Sequence, residues 1–200
     1  LQQGLEMFSS KTLFTEFKRS FEEYMKSSTK SFNQTLSQKK ITLPEAEKFI
    51  SLISEHWKHY MKTESFFVDE AFNRSKEDKV IAANLGEFEN IKTAGRQHLN
   101  SIIFGSDSQL SKLISMISKQ TGVPATELLS YSKDELLGAL TGKRVSKETL
   151  RQRAESYAIV DMGEGYTILE GDRAKRFISG FITEQMSDEI RGTVANKGKA

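Results

Sequence analysis

The chain has 200 residues, enough for one domain with an appendage and for a core that buries roughly 70% of the unfolded surface. Its 29 Lys and Arg against 27 Asp and Glu leave a net charge of +2, which excludes the overall field that draws a protein to nucleic acid or anionic lipid; partners must be recognised locally. The lack of cysteine excludes disulfides, thiolate metal sites and thiol nucleophiles, and no apolar run approaches the roughly 18 residues of a membrane span.

The first residues carry no basic-then-apolar leader pattern, and we expect a soluble, cytoplasmic protein. Leu1 in place of an initiator Met, and an end at Lys199-Ala200 inside a recognisable motif, lead us to expect a piece of a longer protein.

Two prolines leave room for long helices. From Leu5 to about Leu36, Phe8, Leu13, Phe14, Phe17, Phe21, Tyr24, Met25, Phe32 and Leu36 keep the spacing of one helical face, and Ser27-Ser28-Thr29 marks a bend or break. Thr42-Leu43-Pro44-Glu45 predicts a helix start, the Thr42 hydroxyl accepting a backbone N–H and Glu45 reaching back. That helix runs through Phe49, Trp57, Tyr60, Phe66, Phe67 and Val68 to about Asn73. Ser75 or Asp78 caps the next, which continues to Gly105 past Gly86 and Gly95, where a kink or a close helix contact is expected. Asp107 or Ser108 opens a further helix that Gly122 closes.

Beyond Val123 the elements shorten. Pro124 begins one or two turns, Ser132 with Glu135 forms a capping box, Ser146 caps a third short helix, and Tyr157–Val160 with Tyr166–Leu169 flanks a Gly-bearing turn as a hairpin. Gly171-Asp172 leads into a last helix holding Ala174, Phe177, Ile178 and Phe181, and 183–190 reads as a hinge. The expected fold is mainly α: a helical bundle over 1–122, a subdomain of short helices with one β-hairpin over 123–185, and a connector over 186–200.

Glu55, His56, His59 and Glu64 raise a metal reading, since His56 and His59 lie one turn apart. A zinc-protease helix needs two histidines four apart with a Glu between, and a carboxylate-bridged bundle needs matching sets on several helices. With Trp57 and Tyr60 interleaved, the histidines are assigned a structural or solvent-facing role, and no metal or cofactor is assigned to the chain.

The last third follows a particular order: Tyr131-Ser132-Lys133-Asp134-Glu135-Leu136-Leu137, then Arg151 and Arg153 with Tyr157, then Gly192, Ala195, Gly198 and Ala200 as G-x-x-A-x-x-G-x-A. This resembles the connection entering the phosphohistidine (mobile) domain of the phosphoenolpyruvate-utilising enzymes, among them phosphoenolpyruvate synthase and pyruvate phosphate dikinase. The resemblance covers about 70 of the 200 residues. It implies that residues 192–200 open the mobile domain and that the phosphoryl-carrying histidine lies further on, since His56, His59 and His98 lack its Gly-rich setting. It implies an inactive helical linker beside ATP-grasp and mobile domains, in a phosphotransferase that uses ATP and Mg. Arg151 and Arg153 then either meet a phosphate or an adjoining domain's carboxylate, or form local ion pairs with Asp134, Glu135 or Glu155. The alternative is a stand-alone helical interaction or regulatory module; a third reading is a metal-dependent enzyme using His56 and His59.

Overall fold

The computed structural model describes residues 2–64, 69–161, 163 and 165–180. Among these residues the chain forms ten helices and one two-stranded antiparallel hairpin, so it is mainly α with a single β element. The first apolar stripe is cut at Ser10. Helix α1 (Gln2–Ser9) ends there and α2 (Lys11–Leu36) begins, with the Ser10 hydroxyl accepting the Leu13 N–H at 3.3 Å. The expected break at Ser27-Ser28-Thr29 does not occur: α2 runs through it, and each hydroxyl donates back to the preceding turn, Ser27 to the Tyr24 carbonyl, Ser28 and Thr29 to that of Met25.

Helix α3 (Leu43–Glu64) starts at the expected place with only half of the expected cap. The Glu45 carboxylate accepts the Thr42 N–H at 2.8 Å, but the Thr42 hydroxyl donates to that same carboxylate at 2.7 Å instead of accepting from the helix. The helix ends at Glu64, short of Asn73, and α4 (Asp69–Arg74) is a separate element; Phe66, Phe67 and Val68 lie outside the described residues. Asp78 caps α5 (Lys79–Ile103) by accepting from the Val80 and Ile81 N–H groups at 2.8 and 3.2 Å. Ser108 caps α6 (Gln109–Thr121), and Gly122 ends it in the left-handed conformation at φ 71°.

Helices α7 (Ala125–Leu128) and α8 (Lys133–Leu140) follow, the latter opened by the reciprocal Ser132–Glu135 capping box. Their buried Leu128, Leu136 and Leu137 join Phe32, Phe49 and Leu113 in one apolar cluster. The first compact unit therefore reaches Arg144, not 122: short helices whose apolar faces complete the bundle's core belong to the bundle. A second apolar cluster at its other end gathers Phe8, Phe14, Phe21, Ile81 and Phe88, with Phe8 edge-on to Phe88 at 5.1 Å.

The second unit, from Val145, contains α9 (Lys147–Glu155), β1 (Tyr157–Asp161), β2 (Tyr166–Glu170) and α10 (Gly171–Ser179). Its strands pair with Tyr157 opposite Glu170 and Ile159 opposite Ile168. Helices α9 and α10 pack against each other and against both strands. Phe181 and the hinge assigned to 183–190 lie outside the described residues.

Candidate functional site

Of the residues singled out in the sequence, Arg151 and Arg153 end in different surroundings because helical geometry turns them about 200° apart. Arg151 projects outward and pairs within its own helix, with Glu148 at 2.7 and 3.0 Å and with Glu155. Arg153 points inward, is 8% exposed, and donates from Nε to the Glu170 carboxylate at 2.7 Å, fastening α9 to the end of β2. Of the local partners expected, Glu155 is one, whereas Glu170 was not anticipated: it stands beyond the hairpin, and strand pairing brings it back beside α9. Gly171, at φ 53°, lets the chain turn directly from that glutamate into α10, with its N–H on the Ser156 carbonyl at 2.9 Å.

Tyr157 is 60% exposed, and with Ile159 and Tyr166 it gives one hairpin face an apolar outer surface. Gly192, Ala195, Gly198 and Ala200 lie outside the described residues. Comparison with protein-family models, with curated proteins and with solved structures returned no match.

The bundle also gathers all three of the chain's histidines into one layer. His56 on α3 and His98 on α5 meet edge to face at 4.7 Å. His59, one turn from His56, stacks on Tyr24 of α2 at 4.1 Å and on Phe21 at 5.0 Å. Ser28 lies 3.3 Å from His56 Nδ1, and Thr29 lies 3.3 Å from His98 Nε2. With both hydroxyls donating to the Met25 carbonyl, at 3.0 and 2.9 Å, each oxygen is available to accept from its histidine. That arrangement corresponds to the neutral tautomers with the proton on Nδ1 of His56 and on Nε2 of His98.

Burial first, then the neighbouring His98 and His59, pushes His56 down to about 4. Burial likewise lowers His98 and, with Lys62, His59. Tyr24 is pushed up to about 12 by burial and by the Glu55 charge. The Tyr24 hydroxyl and His59 Nε2 are buried without a hydrogen-bond partner among the described residues, a burden of about 1–3 kcal/mol for each such group.

Glu64 does not join this layer. Lys92, Tyr60 and Arg96 hold its carboxyl down at about 2, with ion pairs of 2.8 Å to Lys92 and to Arg96. No group of three His, Asp or Glu side chains is arranged to hold a metal ion among the described residues. His98, Ser28 and Thr29 were not singled out in the sequence as partners of His56. His98 falls on the same α5 stripe as Ile91, Leu99 and Ile102, and that shared face was the available signal.

Proposed function

We propose that the chain is a non-catalytic helical linker of a cytoplasmic, phosphoenolpyruvate-utilising, ATP-dependent phosphotransferase, positioning a swivelling phosphohistidine domain. The observation that carries this reading is the order of motifs from Tyr131 to Ala200. What supports it in the fold is the employment of the motif side chains: Glu135 closes the start of α8, Arg151 is taken up by Glu148 and Glu155, and Arg153 ties α9 to β2. Groups committed to internal pairs serve to hold a frame. In phosphoryl relays, catalysis rests on positioning and on electrostatic stabilisation, and a frame that fixes where a carrier domain starts contributes to the first. ATP, Mg and the carrier histidine belong in this reading to the adjoining domains.

The test is phosphorylation of the full gene product with ATP labelled at the β or γ phosphate, beside the 200-residue chain. Acid-labile label on the full product and none on this chain is the expected result. A second reading, a stand-alone interaction module, draws on Trp57 and Met61, one helical turn apart and 46% and 41% exposed. A gene product that ends near Ala200 and takes no label would favour it.

A further inference from the structure

The histidine layer occupies a particular level of the bundle. Along α2 the order is Phe21 in one apolar cluster, then Ser28, then Phe32 in the other; along α5 it is Ile91, His98 and Ile102. A polar layer thus separates two apolar half-cores, and α2 is held across it by ring stacking and two hydroxyl contacts to imidazole. An open groove of about 420 Å³ between α2 and α5, lined by Glu22, Met25, Lys26, Thr29, Ala94 and His98, brings solvent to the edge of the layer.

We propose that this layer is an acid-sensitive seam: protons entering at His98 through the groove charge the histidines and release residues 24–29 of α2 from α3 and α5, while Phe21 and Phe32 stay packed in the two half-cores. A first proton on His98 leaves its Nε2–H to Thr29 intact and occupies Nδ1, placing a cation 4.7 Å from the His56 ring. None of the three histidines forms an ion pair with a carboxylate among the described residues.

The surrounding charges come from each packed element. On α2, Glu22 and Lys26 stand at the groove mouth. On α3, Lys62 opposes a charge on His59 and Glu55 acts on Tyr24. On α5, Lys92 and Arg96 are engaged by Glu64. Because the rings lie below their ordinary value of 6.5 in the folded chain, their stabilising contribution is whole above that pH. It is lost as pH falls towards about 4, where His56 titrates.

Amide exchange of the 200-residue chain at pH 7.5 and 5.0, corrected for intrinsic rates, tests the seam. Protection in residues 24–29 of α2 should fall by about tenfold or more, with α6 to α8 little changed, and the His56→Gln/His98→Gln variant should lose this difference. Equal protection at both pH values, or the same fall in the variant, overturns the proposal. Should the variant not fold, NMR titration of the wild-type imidazoles decides: midpoints below 6.5 that track the loss of α2 protection support the seam. Ordinary midpoints with α2 unchanged overturn it.

Discussion

Arg153 and Arg151 are two residues apart and have opposite consequences when removed. Arg153→Ala leaves the Glu170 carboxylate without its 2.7 Å partner in a half-buried setting and should destabilise the second unit by about 3 kcal/mol, read as loss of hairpin and α10 amide protection. Arg151→Ala removes only solvent-exposed pairs and should leave the same amides unchanged. At Tyr24 the sign reverses. Its hydroxyl is buried without a partner while its ring carries the stack on His59 and His56. Tyr24→Phe should therefore raise stability by about 1 kcal/mol in denaturant unfolding.

Several helix starts were legible in the sequence from a short capping side chain: Ser132 and Ser146 cap where expected, and of the paired candidates Asp78 caps α5 and Ser108 caps α6. The break at Ser10 was not, because apolar spacing continues across it and one serine cannot announce whether it caps or rides inside a helix. The opposite error at Ser27-Ser28-Thr29 has a tertiary cause, since Ser28 and Thr29 are retained in α2 as acceptors for imidazole N–H groups from helices far along the chain. Gly95 was legible as a close approach, though its neighbour was not. A Cβ there would stand 2.7 Å from the Phe21 ring, while one at Gly86 would meet nothing within 4 Å. Gly95→Ala should lose about 1 kcal/mol net, the clash outweighing the gain in helix propensity. Gly86→Ala should gain about 1 kcal/mol, and paired thermal melts of the two variants distinguish them.

The extent of the bundle is a property of the whole molecule, and local patterns could not fix it. The spacing of Leu128, Leu136 and Leu137 predicts short amphipathic helices but not the core they join. Trp57, the chain's only tryptophan and half exposed on α3, reports on that question. Leu137→Ala should lower the unfolding free energy followed by Trp57 fluorescence by about 2–5 kcal/mol, and so should Phe49→Ala. A midpoint that responds to Phe49→Ala alone would return the boundary to 122. The link between Ile41 and α6 has a different kind of consequence. The Gln120 side chain amide accepts the Ile41 N–H at 3.0 Å and donates to the Ile41 carbonyl at 2.9 Å, copying a peptide pairing across 79 positions. On the ribosome, the N–H and carbonyl of Ile41 would thus be served by water until Gln120 emerged from the exit tunnel.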